Sequence, residues 1–143
     1  MSRVVINGPG NYPFSVEIPV RITDINYGGH LGHDSFMALL HEARVRMLIS
    51  HGLSEIDIGG CGIIMADTAI VFKSEVFFGA TLKVELAVGD MSRSGFRVYY
   101  RVTDAGDGHE VAVAETGMVC YDYDRKRPAR VPEKFKREFH TNA

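Results

Sequence analysis

The sequence of 143 residues lacks the features that indicate secretion or membrane insertion. It has only two cysteines, Cys61 and Cys120, with neither the spacing of a metal site nor the density of a secreted disulfide scaffold, so we predict reduced, structural thiols. No apolar run reaches the roughly 18 residues that span a bilayer, and the N-terminus has no signal-peptide core. We therefore expect a cytoplasmic protein without membrane insertion.

Signatures of several enzyme classes are absent as well. The chain has no G-x-S-x-G elbow, no Walker loop and no dinucleotide-binding glycine fingerprint, which argues against a serine hydrolase, an NTPase and a nicotinamide enzyme. His41, His51, His109 and His140 are scattered without the pairing of metal ligands, so we predict no metal site. The net charge of −2 gives no general reason to expect nucleic acid as a partner.

Length and composition predict one globular domain over residues 1–143, with 45% hydrophobic and 24% charged residues. Residues 1–13 form an irregular lead-in because of their glycines and prolines. Alternating apolar residues predict strands at 14–22, 63–77, 82–88, 96–102 and 109–123. Five strands with one early helix indicate an α+β domain in which a strongly bent antiparallel sheet wraps the helix.

The helix is predicted from about Ser35 to His51, with Asp34 or Ser35 as N-cap and Gly52 as the C-terminal stop. A short helical turn is expected to start at Ser54 in the connection that follows. An apolar stripe with three- and four-residue spacing should pack on the sheet: Phe36, Leu39, Leu40, Ala43, Met47 and Leu48. The polar residues between them are expected mostly on the other side: His41, Glu42, Arg44 and Arg46.

Residues 24–36 join the first strand to the helix and gather polar groups around a glycine turn. Gly28 and Gly29 allow a sharp turn and a close approach of backbone N–H groups to a ligand. The helix begins near His33 and Asp34, where unpaired N–H donors and the helix dipole can stabilise an oxyanion. We therefore expect the chemistry of the protein in this segment.

Residues 24–33, D-I-N-Y-G-G-H-L-G-H, resemble the D-x-D-x-x-G-H-x-N-N segment of hotdog-fold acyl-CoA thioesterases of the 4-hydroxybenzoyl-CoA thioesterase type. Asp24 matches the first Asp of that motif, and His30 matches the His. Asn26 stands where the family commonly has its nucleophilic or basic Asp, while Gly32 and His33 replace the Asn pair. The order of strand, helix, turn and four strands extends the resemblance to residues 14 to about 124.

The resemblance implies a thioesterase that hydrolyses an acyl-CoA or acyl-carrier thioester to a free acid and a thiol. No cofactor is implied apart from the CoA or carrier of the substrate. It also implies a homodimer or homotetramer with edge-paired sheets and active sites between subunits.

Two alternatives stay open. Asn26 in place of an acid favours a non-catalytic acyl-CoA binding module, whereas a hotdog hydratase or dehydratase would need an Asp and His pair that Asp24 and His30, in one turn, match poorly.

Each candidate catalytic group also has a structural interpretation. Asn26 can hold water or donate to a carbonyl, or can serve only the turn. Asp24 can activate water, or can accept N–H bonds of the turn. His30 is the best candidate, because it can accept a proton or bind the thioester oxygen. Glu42 lies close to whole helical turns from Asp34 and projects near the site, or else pairs with Arg46.

Two further features have alternative interpretations. Asp67 interrupts an apolar strand, so it faces solvent or meets a special partner such as the helix of another subunit. The basic segment 125–143 is a solvated tail in the simpler interpretation, and a contact for CoA phosphates or an acidic carrier protein in the other. Its basic residues are Arg125, Lys126, Arg127, Arg130, Lys134, Lys136 and Arg137.

Overall fold

The computed structural model describes residues 2–139. Helix α1 (His33–Ser50) follows the first strand, and a short helix α2 (Glu133–Glu138) follows the last. The strands are β1 (Phe14–Pro19), β2 (Gly62–Phe72), β3 (Thr81–Gly89), β4 (Gly95–Asp104), β5 (Glu110–Asp122) and β6 (Arg127–Pro128). They form one antiparallel sheet in the order β1-β3-β4-β5-β2, with β6 paired to β5. The predicted α+β fold, an antiparallel sheet with one long helix, is confirmed.

The core lies between α1 and the sheet. The predicted apolar stripe of α1 is buried throughout: Phe36, Leu39, Leu40, Ala43, Met47 and Leu48. It belongs to the same buried cluster as alternate residues of β3 and β4, which include Leu82, Val84, Leu86, Val98 and Val102. Burying each large apolar side chain contributes about 1.5–3 kcal/mol, so this contact holds α1, and with it the N-terminus of the helix, in a fixed position.

Arg44 is not on the polar face of α1, and the prediction for this residue is wrong. Its side chain is buried, with 5% of the residue exposed. Nε donates to Glu55 at 2.9 Å, and one Nη group donates to the hydroxyl of Tyr100 at 3.1 Å. Because a buried guanidinium needs partners for its charge and its N–H groups, these two contacts explain how Arg44 is accommodated in the core.

The connection between β1 and α1 differs from the prediction at both ends. The first strand stops at Pro19 instead of residue 22, and a 3₁₀ turn covers Ile22–Asp24. Helix α1 begins at His33 with Gly32 as N-cap and with no side-chain cap, so the expected caps at Asp34 and Ser35 are wrong. A Cβ at Gly32 would lie 2.7 Å from Oδ1 of Asp34, so a larger residue here would displace the exposed Asp34 side chain.

The second strand ends at Phe72, five residues earlier than the predicted 63–77, because its ladder stops there. The N–H groups of Lys73 and Ser74 both donate to the carbonyl of Val111, at 2.8 Å and 3.3 Å, which turns the chain out of the sheet. Residues 73–76 therefore lie outside the sheet and can contact the glycine turn.

The predicted helical turn at Ser54 is instead a tight turn with reciprocal backbone bonds between Ser54 and Asp57.

The C-terminal segment is folded onto the core as far as residue 139, so the prediction of a solvated tail is wrong for the described part. Phe135 of α2 is fully buried, and its ring centroid lies 4.4 Å from that of Phe96. Val131 is buried as well. The basic side chains of the segment stay exposed around these apolar anchors. Residues 140–143, including His140, lie outside the described residues.

Cys61 and Cys120 are free thiols, as predicted. Burial raises the pKa of the Cys120 thiol to about 12, and burial also raises the pKa of Cys61. Both are therefore thiols and not reactive thiolates at neutral pH. Within residues 2–139, no helix is long and apolar enough to cross a membrane.

Candidate functional site

Asn26 organises the glycine turn that precedes α1. Its Oδ1 accepts the N–H groups of Gly28, at 3.0 Å, and of His30, at 3.3 Å. Its backbone N–H donates to the carbonyl of His30 at 2.9 Å, and its carbonyl accepts the N–H of Gly29 at 3.0 Å. Gly29 has φ +85°, in the left-handed region that favours glycine. Because the turn uses Oδ1, the Nδ2 group of Asn26 stays available as a donor.

The turn borders a cavity of about 440 Å³. Its polar lining residues are Asn26, His30, His33, Lys73, Ser74 and Glu75, and its apolar lining residues are Leu31, Phe36, Phe72, Val76 and Val111. The rings of Phe36 and Phe72 meet edge to face, with centroids 5.2 Å apart. The cavity therefore combines an apolar surface with a cluster of hydrogen-bonding groups, as ligand sites typically do.

His30 is held in one orientation beside this cavity. Its Nδ1 lies 3.3 Å from the carbonyl of Leu31, so we assign the hydrogen to Nδ1 and a lone pair to Nε2. Nε2 lies 3.9 Å from Oε1 of Glu75. The side chain is 34% exposed, so a ligand or a water molecule can reach Nε2. The geometry thus presents His30 as a proton acceptor.

The N-terminus of α1 reaches the same cavity. The first helical hydrogen bond runs from the N–H of Phe36 to the carbonyl of Gly32, at 2.9 Å. The N–H groups of His33, Asp34 and Ser35 precede that bond and have no partner within the helix. His33 lines the cavity, whereas the Asp34 side chain is exposed and contributes no cap. The helix end therefore offers donors and positive potential near His30.

Asp24 has a structural role in this geometry. Its side chain is 6% exposed, and Oδ2 accepts the N–H of Arg21 at 2.8 Å, which closes the 3₁₀ turn. Its carbonyl accepts the N–H of Gly32 at 3.1 Å and so ties the turn to the start of α1. Asp24 is not among the residues that line the cavity. Of its two predicted roles, the structure supports acceptance of turn N–H bonds.

Glu42 and Asp67 also lie away from the cavity. Glu42 pairs with Arg46 one helical turn along α1, at 2.6 Å, which is the surface pair considered as its alternative. Asp67 on β2 pairs with Arg97 at 2.5 Å, and that guanidinium holds the pKa of Asp67 below its ordinary value. Arg97 also pairs with Glu115 at 2.5 Å. Neither carboxylate is brought to the turn within this chain.

The sequence interpretation missed the segment after β2. Lys73, Ser74 and Glu75 line the cavity, yet they fall inside the predicted strand 63–77. Their polar run at the end of an apolar strand was the signal that could have placed them in a loop. The segment reaches the turn because the N–H of Leu31 donates to the carbonyl of Val76 at 2.7 Å, a contact between residues far apart in the sequence.

A family model described as the thioesterase-like superfamily matches residues 20–139. The chain belongs to this superfamily. The match confirms the resemblance seen in residues 24–33 and, with it, the predicted enzyme class, thioester hydrolases.

Several individual proteins are similar to this chain in sequence, in fold or in both. A 1,4-dihydroxy-2-naphthoyl-CoA hydrolase from Synechocystis is 25% identical over 126 residues, covering 86% of this chain and 91% of the relative. A solved 1,4-dihydroxy-2-naphthoyl-CoA thioesterase from Synechocystis has a TM-score of 0.81 at 24% identity, covering 90% of this chain and 96% of that one. A Staphylococcus aureus protein solved with CoA has a TM-score of 0.80 at 19% identity, covering 89% and 81%.

Proposed function

We propose that the chain hydrolyses an acyl-CoA thioester in the cavity beside the glycine turn. The observation that carries the proposal is that three chemical elements meet at one cavity: the Asn26 amide, the His30 imidazole and the N-terminus of α1. Together they supply a donor, a base and a positively polarised helix end. Thioester hydrolysis needs a base for water and donors for the oxyanion.

In the proposed reaction, water is the nucleophile. Its oxygen attacks the thioester carbonyl carbon while one of its protons passes to Nε2 of His30. The carbonyl oxygen becomes an oxyanion, stabilised by Nδ2 of Asn26 and by N–H groups at the start of α1. The C–S bond then breaks, the imidazolium returns its proton to the leaving thiolate, and the products are the carboxylic acid and the free thiol.

His30 is the proposed base because the alternatives are committed elsewhere. A neutral amide such as Asn26 cannot accept the proton. Asp24 is engaged by the N–H of Arg21, Glu42 by Arg46 and Asp67 by Arg97. Nε2 of His30, by contrast, carries a lone pair and is reachable from the cavity. Neutral imidazole accepts protons near neutral pH, which suits this role.

CoA is the proposed carrier of the acyl group. The Synechocystis relatives act on 1,4-dihydroxy-2-naphthoyl-CoA, and a Staphylococcus aureus structure of the same fold contains CoA. The apolar side of the cavity, with Phe36 and Phe72, suits an acyl group held next to the polar turn. An acyl-carrier thioester offers the same reacting bond and is the alternative to be tested.

We also propose that the active site is completed by a second copy of the chain in a homo-oligomer. Strand β2 lies at an edge of the sheet and pairs only with β5 among the described strands. Its side chains are exposed along most of its length, including the apolar Ile64, Met65 and Phe72. Exposed apolar edge strands are normally paired or covered. Phe72 also lines the cavity, so a partner on this edge would reach the site.

Release of free thiol from a panel of acyl-CoA and acyl-carrier thioesters tests the proposed reaction. The panel should vary the acyl group from short aliphatic to aromatic, and the matched oxygen esters serve as controls. We expect turnover with at least one acyl-CoA. Saturable binding of acyl-CoA without thiol release would instead identify a binding module, and conversion of an enoyl thioester without thiol release would identify a hydratase. Light scattering tests the oligomer, since a monomer mass at micromolar concentration would contradict the shared site.

A further inference from the structure

Glu75, which also lines the cavity, lies close to the proposed base. Its Oε1 lies 3.9 Å from Nε2 of His30. The backbone around it is fixed, because Val76 accepts the N–H of Leu31 at 2.7 Å. Ser74 Oγ also donates to the carbonyl of Glu110 at 2.9 Å. The position of the Glu75 backbone beside the turn is therefore built into the fold.

The separation of these two atoms fits one water molecule between them. It exceeds the 2.7–3.2 Å of a direct N–H···O hydrogen bond. A water that makes two hydrogen bonds of about 2.8 Å at its own bond angle joins atoms roughly 4.4 Å apart, so a shared water needs an outward movement of the Glu75 carboxylate of about 0.5 Å. Glu75 is 66% exposed, so water has access to its carboxylate. The two side chains are thus spaced to hold the same water.

We propose that Glu75 is a further catalytic residue, which holds the attacking water together with His30; this inference rests on the proposed thioesterase function. The water gives one hydrogen bond to Nε2 and the other to the Glu75 carboxylate. The proton that leaves during attack goes to Nε2, and Glu75 keeps its bond to the remaining O–H. The negative charge of Glu75 then stabilises the imidazolium until the thiolate takes the proton.

Glu75 is the one carboxylate among the residues that line the cavity in the described chain. The other titratable side chains that face the cavity are His33, from α1, and Lys73, from the same segment as Glu75. Nζ of Lys73 lies 3.7 Å from Oε1 of Glu110, so Lys73 forms an ion pair with a residue that does not line the cavity. Glu75 thus supplies a carboxylate at a cavity where Asn26 has replaced the acid of the family motif.

Glu75→Gln tests the proposal on the full-length protein, with the best acyl-CoA of the panel as substrate. We expect kcat to fall about 10-fold to 100-fold, with KM unchanged within about threefold, because Glu75 contacts water and not the acyl group. Glu133→Gln is the matched control, since Glu133 is an exposed carboxylate of α2 that pairs with Lys136 and does not line the cavity. It should keep the wild-type kcat.

Two further readouts separate a catalytic role from a structural one. In the His30→Ala background, Glu75→Gln should lower kcat by less than about threefold, because both residues act on one water. Glu75→Asp, which keeps the charge on a shorter side chain, should lose less than Glu75→Gln.

A wild-type kcat in Glu75→Gln would overturn the inference. A full multiplicative loss in the double variant would also overturn it. If Glu75→Gln does not fold, the kcat of Glu75→Ala decides, and a wild-type value there overturns the inference. Absence of thiol release by the wild-type protein would refute the proposed function instead, so the two failures are distinguishable.

Discussion

Replacing His30 by alanine should separate catalysis from stability. The turn uses only backbone atoms of His30, its N–H to Oδ1 of Asn26 and its carbonyl to the N–H of Asn26, and alanine keeps both. The lost side-chain contact is the bond of 3.3 Å from Nδ1 to the carbonyl of Leu31. For a one-third exposed side chain, we expect a loss of less than about 1 kcal/mol in unfolding free energy.

The effect of His30→Ala on the reaction should be much larger. Removing a general base typically lowers kcat by about 10²-fold or more, which corresponds to at least roughly 2.7 kcal/mol of activation free energy. Thiol release under saturating acyl-CoA measures kcat, and chemical denaturation of the same sample measures stability. His109→Ala is the control, because His109 lies in the exposed turn between β4 and β5 and pairs with Asp107. A His30→Ala protein with wild-type kcat would refute the assignment of the base.

Three further predictions concern the turn, the C-terminal helix and the buried charge pair. Asn26→Asp restores the carboxylate of the family motif and keeps an acceptor for the turn N–H bonds, but it removes the Nδ2 donor and places a negative charge beside the oxyanion. We therefore expect kcat for thiol release to fall about 10²-fold, and a rate at or above the wild-type value would contradict the role of Nδ2. Phe135→Ala should cost about 3–5 kcal/mol in denaturation experiments, because the ring is fully buried, whereas the exposed Lys136→Ala should cost little. Glu55→Gln should cost about 2–3 kcal/mol at pH 7, since it leaves Arg44 short of a partner. Burial raises the pKa of Glu55, but hydrogen bonds from Arg44 and His41 outweigh burial and lower the pKa overall. The stabilisation by this pair should therefore be present above pH 4.5, the ordinary pKa of a glutamate, and decline as the pH falls below it. A difference in unfolding free energy between wild type and Glu55→Gln that does not change with pH would contradict the pairing.

The parts of the fold that follow local periodicity could be predicted from the sequence. The stripe from Phe36 to Leu48 has helical spacing, and the alternation in β3 and β4 marks the inward face of the sheet, so both elements were found. The motif at residues 24–33 likewise located the turn, because its glycines and His30 are adjacent in the chain. The features that were predicted wrongly depend on contacts between residues that are distant in the sequence.

Arg44, Glu75 and α2 illustrate those failures. Periodicity places Arg44 on the polar face, but Tyr100 and Glu55, from other parts of the chain, supply buried partners for it. Glu75 reaches the site only because the N–H of Leu31 binds the carbonyl of Val76. The C-terminal segment was predicted to be a solvated tail because of its many charged residues, although Val131 and Phe135 are apolar and pack on the core.

A crystal structure with a non-hydrolysable 2-oxoalkyl thioether of CoA tests the central claim most directly, since this analogue keeps the carbonyl group and shows where it binds. The account predicts the carbonyl oxygen within hydrogen-bond distance, about 3 Å, of Nδ2 of Asn26 or of an N–H group at the start of α1. It also predicts one water between the carbonyl carbon and Nε2 of His30. A carbonyl group bound away from the glycine turn, with His30 and Asn26 in contact with neither ligand nor water, would contradict it.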